Sequence, residues 1–302
     1  MLSTARTMFR EPDYRVGVLC VLLASVAFGT SPALGRLAHD SGLSALATTT
    51  WRFLVPVFVL LPFLPAALRH GRLAVIGLLT GAAAAIGMVA YFHALRHLSV
   101  ATVSVIYFSY PLFTILLDRL LHQERIRPRA VIASVLIIAA AIVVVPPSSL
   151  GGGALGPLLL AFASPIGFAI LIVTLARTLT PIPVLSRASI SLTGAILGLL
   201  PGFLLFEAGP LLPRTTDAAL ILVGFAAATT LVPQLLYTIG TAHAGAGLTA
   251  IAGAFELVVA LLIGWIWLGD PVLLREVVAG LLIVAALVSA VVALPRRWRV
   301  HP

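Results

Sequence analysis

A chain of 302 residues with 61% hydrophobic and only 10% charged side chains, and a mean hydropathy of +1.14, falls far below the roughly 25% of charged residues that a water-soluble domain carries. Its formal charge of +9 comes from 19 arginines, with no lysine, strung out between apolar runs, which marks membrane topology and not a nucleic-acid surface. Cys20 is the sole cysteine, and that excludes both a disulfide framework and a cysteine metal centre.

Interruptions by Arg, Pro, Gly and acidic residues divide the chain into apolar segments near 16–37, 46–68, 73–95, 99–121, 128–146, 154–178, 184–206, 217–240, 246–268 and 273–294. Each approaches the length of about 20 residues that spans a bilayer. The predicted fold is therefore an all-α polytopic membrane protein of ten transmembrane helices. The first segment, preceded by Arg6, Arg10 and Arg15, has the look of a secretory signal, but its removal would leave the first half one helix short of the second. Pro146, Pro147, Ser148, Ser149 and Gly151–Gly153 form an uncharged loop between the halves. The predicted units are residues 1–147 and 154–294, five helices each, with 295–302 as a basic tail.

With the N-terminus inside, fourteen arginines fall on cytoplasmic segments and five (Arg36, Arg52, Arg96, Arg214 and Arg275) on the outer side. The positive-inside rule then puts both termini in the cytoplasm. An odd number of spans per half makes the halves inverted relative to one another.

The second half replays the first. Sliding Tyr91–Val145 forward by 146 residues puts Tyr91 on Tyr237, His97 on His243, Glu124 on Asp270 and Arg129 on Arg275. Internal duplication in a membrane protein is the trace of a carrier built from two related halves around a central site.

Polar residues inside the apolar segments are the candidates for chemistry. Arg52 and Arg187 begin the second and seventh segments; either snorkels to the interface or turns inward, where it would attract a carboxylate. Gly77, Gly81 and Gly87, like Gly240, Gly245, Gly247 and Gly253, suit close helix packing. Tyr91 and His93 add polar groups to the third segment. His93 and His97 have the i, i+4 spacing of a helical metal pair, but a third ligand is missing and no metal is expected. Tyr107 and Tyr110 share a helix face with Ser104 and Thr114 nearby, as do Gln234 and Tyr237 in the eighth segment. Phenol rings can stack on a substrate and their hydroxyls can orient it. Glu124 and Asp270 close the fourth and ninth segments, and their expected role is loop structure with Arg125, Arg127 or Arg275.

Glu256 is the sharpest candidate, about midway along its segment. A carboxyl at that depth costs on the order of 2.5–3.5 kcal/mol on insertion scales and needs an interior partner. It reads as a proton or cation site, or as a structural brace between helices. In the repeat register it corresponds to Tyr110. No Walker loop, catalytic triad, paired carboxylates or metal cluster occurs, so neither an enzyme nor a cofactor is expected.

These features together resemble the EamA-like transporters of the drug/metabolite superfamily. Phe255-Glu256-Leu257-Val258 is similar to that family's Leu-Glu-Pro-Val pattern, Tyr110-Pro111-Leu112-Phe113 to its first-half counterpart, and Ala27-Phe28-Gly29-Thr30 to the Trp-Gly-Thr of its first helix. Leu257 stands in place of the proline and Phe28 in place of the tryptophan. The resemblance implies a secondary transporter of small metabolites such as amino acids or drug-like compounds, working by alternating access in a bacterial cytoplasmic membrane. It would act as an exporter, with a proton as candidate coupling ion, and as a monomer or homodimer. The implied substrate site is a midplane cavity between segments 1, 3, 4, 6, 8 and 9, lined by Glu256, Tyr107, Tyr110, Gln234, Tyr237, Tyr91 and Thr30. The rival expectations are a membrane-embedded enzyme or lipid-handling protein with a laterally open cavity, and a stability partner for another membrane protein.

Overall fold

The computed structural model describes residues 13–31, 45–94, 97–98, 100–144, 155–205, 215–267, 269 and 271–292. The loop between the halves, Asp270, Arg36, Arg96, Arg214 and the basic tail lie outside the described residues. Regular structure among those described is entirely helical. In chain order the helices are α1 (Tyr14–Gly29), α2 (Ala45–Leu60), α3 (Leu64–Leu68), α4 (Arg72–Ala94), α5 (Val100–Tyr107), α6 (Tyr110–His122), α7 (Pro128–Val144), α8 (Leu155–Ala161), α9 (Ala163–Val173), α10 (Val184–Leu205), α11 (Thr216–Ala226), α12 (Val232–Ala244), α13 (Ala246–Gly253), α14 (Phe255–Ile266) and α15 (Leu274–Val292). Several run on into one another, so that six continuous stretches are long and apolar enough to cross a membrane, and α1, α7 and α10 are shorter apolar helices.

The surface is as greasy as the interior. Leu19, Leu79, Leu120, Leu159, Leu220 and Leu281 are exposed, whereas the buried set includes Ser25, Thr114, Ser134, Ser189, Thr229 and Thr238. This is the arrangement of a protein whose solvent is hydrocarbon, where intrahelical bonds satisfy the backbone and the polar side chains turn inward. Each of those buried hydroxyls donates to a main-chain carbonyl, four residues upstream for Ser25, Thr114, Ser134, Thr229 and Thr238, and across to Leu60 for Ser189.

Packing follows the duplication. α4 lies against α9, and its repeat counterpart α12 lies against α1; α6 lies against α9, while α13 and α14 lie against α1. The α7–α15 and α2–α10 contacts are each their own counterpart under exchange of the halves. The chain is thus a two-repeat bundle with an approximate internal two-fold relation. Glycine makes the closest crossings possible. A Cβ on Gly81 would strike the Ser191 carbonyl, and one on Gly194 the Leu78 carbonyl, locking α4 onto α10 backbone to backbone. Gly17 and Gly240 do the same for α1 and α12.

Four departures from continuous helix position the functional groups. The fourth apolar segment breaks between α5 and α6 at Phe108–Ser109, and the ninth breaks between α13 and α14 at Ala254. Advancing Phe108 by the repeat offset lands on Ala254, so the breaks are the same feature in the two halves. Two π-helical turns, Thr174–Thr178 after α9 and Ala227–Leu231 between α11 and α12, supply the others. Helix α1 ends at Gly29 with Thr30 as its C-cap, and residues 32–37, to which the first segment was expected to reach, lie outside the described residues.

Candidate functional site

The two helix breaks bring Tyr110 and Glu256 into the first turns of α6 and α14. Around them the rings form a continuous chain. Tyr91 meets Tyr107 edge-on at 6.1 Å, and Tyr107 lies 5.5 Å from Tyr110 and 6.0 Å from Phe168. Phe168 in turn lies 4.9 Å from Tyr110 and 5.9 Å from Tyr237, and Tyr237 lies 6.0 Å from Phe28. Such offset and edge-on pairs hold one another in place as well as burying area. Each of the six apolar segments expected to surround a cavity supplies a member: Phe28, Tyr91, Tyr107 with Tyr110, Phe168, Tyr237 and Glu256.

Glu256 is half-buried, and none of the three contact ion pairs among the described residues involves it. It interacts electrostatically with Tyr107, Tyr110, Tyr237 and Tyr91, and with one cation, Arg52. The carboxyl therefore lies near the aromatic cluster and within electrostatic reach of one guanidinium, without a contact ion pair among the described residues.

Arg52 adopts the inward of its two expected orientations. Its Nε donates to Thr230 Oγ1 at 2.8 Å and its Nη2 to the Thr229 carbonyl at 2.9 Å, while the guanidinium lies 5.8 Å from the Phe225 ring. Arg187 is also turned in, not snorkelled: it is 3% exposed, and Nη1 donates to the Leu175 carbonyl at 3.1 Å. Both accepting carbonyls belong to π-helical turns. A π turn disturbs the regular carbonyl ladder of a helix, and each of these two turns, both in the second repeat, has a carbonyl that accepts from a buried or half-buried arginine, Arg187 of the same repeat and Arg52 of the first.

The two fully enclosed phenols converge on the second break. A Cβ on Gly253 would lie 2.7 Å from the Tyr110 hydroxyl and closer still to that of Tyr237. The hydroxyls are neighbours, yet neither meets a partner with hydrogen-bond geometry among the described residues. Ser25 Oγ reaches the Ala252 and Gly253 carbonyls at 3.3 and 3.2 Å, tying α1 to the break.

Two of the expected residues stand apart. Thr30 caps α1 by donating to the Ala27 carbonyl at 2.6 Å. Gln234 is buried one turn from Tyr237, and no hydrogen bond joins its amide to the cluster among the described residues. The rings of His93 and His97 lie 5.6 Å apart, and no group of three metal-ligating side chains occurs among the described residues. Phe168 was not among the expected site residues, and Arg52, first expected to snorkel to the interface, takes the alternative, inward orientation. Phe168 carries no signal in an apolar run, whereas the Thr-Trp-Arg-Phe setting of Arg52 at least flagged it.

At the arginine-rich end of the bundle lies a separate cavity of about 640 Å³, reached by Tyr14, Asp118, Glu124 and His243. Glu124 does not pair with Arg125 or Arg127 as expected. Arg177, at the end of the sixth segment, donates to Glu124 Oε2 at 2.8 Å and to Asp118 Oδ2 at 3.2 Å. This contact links the first repeat to the second, and His122 Nδ1 adds a contact to Asp118 at 3.4 Å. Buried Ile115 and Ile251 are among the residues that line this vestibule, and Ile251 belongs to the same packed cluster as Tyr110 and Tyr237.

A crystal structure of a protein shares this fold with a TM-score of 0.72 at 19% identity, over 91% of this chain and 96% of that one. No curated protein matches the sequence. The EamA-like transporter family matches residues 15–145 and again residues 155–292. With both repeats matched and the bundle built as two related halves, the chain is a multi-pass membrane protein of the drug/metabolite transporter type and belongs to the EamA-like transporter family.

Proposed function

We propose that the protein is an exporter of small amphipathic metabolites, such as amino acids or drug-like compounds, working by alternating access in a bacterial cytoplasmic membrane. In this reading ten spans form two inverted five-helix units, residues 1–147 and 154–294. Both termini and the short tail 295–302 are cytoplasmic, which places the vestibule on the cytoplasmic side. The observation that carries the reading is the aromatic cluster at two symmetry-related helix breaks, with one carboxyl, Glu256, and one guanidinium, Arg52, in electrostatic reach of each other and of Tyr107. Glu256 would receive an amine or a proton, Arg52 an anionic group, and Tyr107, Tyr110, Tyr237 and Phe168 the apolar body between them. The half-buried Glu256 and Tyr107, beside sealed Tyr110 and Tyr237, support a state closed toward the cytoplasm at the Arg177 ion cluster.

The test is reconstitution in liposomes under an imposed pH gradient with a panel of amino acids, cationic drugs and sugars, following solute and internal pH together. Solute movement that Glu256→Gln abolishes supports the site. A moving elementary charge is worth about 2.3 kcal/mol per 100 mV, so voltage dependence lost in Glu256→Gln would assign that charge to the carboxyl. Unchanged transport and voltage response in Glu256→Gln would remove its role, and failure of every solute to move would favour a lipid-handling or partner function.

A further inference from the structure

The vestibule is built for an anion, independently of the aromatic cluster. Arg125, Arg127, Arg129 and Arg177 line it against only two carboxylates, Asp118 and Glu124, and both of those carboxylates are engaged by Arg177. Arg125 and Arg129 have no ion-pair or hydrogen-bond partner among the described residues. The stretch before α7 has no regular structure; exposed Arg125 and Arg127 line the cavity and Ile126 between them does not. Helix geometry adds to the positive potential. Pro128, Arg129 and Ala130 from the first turn of α7, and Ala246, Gly247 and Leu248 from the first turn of α13, all line the same cavity. Pro128 has no N–H and the Ala130 N–H donates to the Arg127 carbonyl at 2.9 Å, so what α7 contributes is the Arg129 N–H and its positive end, beside the first turn of α13. The C-terminal residues Ala242, His243 and Ala244 of α12 line the same cavity, and the Gly245 N–H caps one carbonyl of that end, Thr241, at 3.0 Å. Gly245, at φ +75°, makes the turn that lets α13 start beside α12.

We propose that this vestibule is a binding site for a phosphate group, held by Arg125, Arg129 and the first turns of α7 and α13. The group could be carried by an anionic phospholipid headgroup at the membrane surface or by a free phosphate anion in the aqueous phase. It is a second site, since Glu256 is not among the residues that line the vestibule, and it does not depend on which solute the protein carries.

The full-length protein would be placed in nanodiscs of zwitterionic lipid, and its thermal unfolding midpoint followed under two titrations: inorganic phosphate against chloride at matched ionic strength, and graded phosphatidylglycerol in the discs. A saturable rise with phosphate assigns the site to a free anion, and a saturable rise with phosphatidylglycerol alone assigns it to the lipid. In either case Arg125→Gln/Arg129→Gln should need at least tenfold more of the effective probe, Arg125→Lys/Arg129→Lys should recover most of the response, and Glu256→Gln should leave it intact. Absence of saturation beyond the chloride control, or an unchanged response in the double glutamine variant, overturns the proposal. The Glu256→Gln protein separates that failure from a failure of the transport reading.

Discussion

Gly253→Ala adds one methyl group at the point where two enclosed phenol hydroxyls meet. The new carbon would sit 2.7 Å from the Tyr110 oxygen, about 0.7 Å inside an ordinary carbon–oxygen contact, and closer to that of Tyr237. Neither ring can retreat freely, because Phe168 packs against both at 4.9 and 5.9 Å. Overpacking of this kind costs about 1–3 kcal/mol, and the expected result is a lower unfolding midpoint in detergent with impaired solute flux in liposomes. Tyr237→Phe removes one of the colliding oxygens. That hydroxyl is buried without a hydrogen-bond partner among the described residues, so its loss alone should change stability by less than about 1 kcal/mol or raise it. In the Gly253→Ala background it should recover a large part of the loss, a coupling that a double-mutant cycle reads directly. A Gly253→Ala protein as stable and active as the parent, or one that Tyr237→Phe fails to rescue, would refute the picture of hydroxyls crowded onto the break.

Gly81→Ala drives a methyl into the Ser191 carbonyl between α4 and α10 and should destabilise by about 1–3 kcal/mol, whereas Gly224→Ala, with nothing within 4 Å of its Cβ position, should be neutral or gain up to about 1 kcal/mol of helix propensity; thermal unfolding of the pair checks both. Arg177→Gln leaves Asp118, only 5% exposed, without its cation, so it should destabilise more than Asp118→Asn does. Both variants should raise maleimide labelling of a cysteine placed at Ile251, which lines the vestibule. Arg52→Lys keeps the charge but loses the fork that spans Thr230 Oγ1 and the Thr229 carbonyl; transport should fall severalfold, which flux assays on matched protein amounts would detect.

Much of the architecture could be read before any coordinates, because hydrocarbon imposes it. Apolar runs of spanning length, and a polar register that repeats after 146 residues, follow from requirements a chain cannot evade in lipid. The same register paired Tyr110 with Glu256, and those are the residues that open α6 and α14 at the two breaks. The breaks themselves were not legible. Pro111 follows the first, but no proline marks the second, where Gly253, Ser25 and the phenols of two other helices act together. Phe168 could not be distinguished from its apolar neighbours, since its importance lies in the three tyrosines it touches. Glu124 was assigned near neighbours in sequence, but its partner Arg177 lies 53 residues on, in the other repeat. In each case the deciding contact is long-range, and local pattern carries no trace of it.

The two arginine-braced π turns bear on how such a chain can change over generations. A π turn is in effect one residue inserted into a helix, and within each of these turns one carbonyl, that of Leu175 and that of Thr229, accepts from Arg187 and Arg52. Deleting the extra residue alone would strand a guanidinium among apolar helices, and replacing the arginine alone would strand a carbonyl. Each pair should therefore be gained or lost together. Homologues that lack an arginine at the place of Arg52 should have an eighth apolar segment shorter by one residue, and those that lack Arg187 a sixth segment shorter by one.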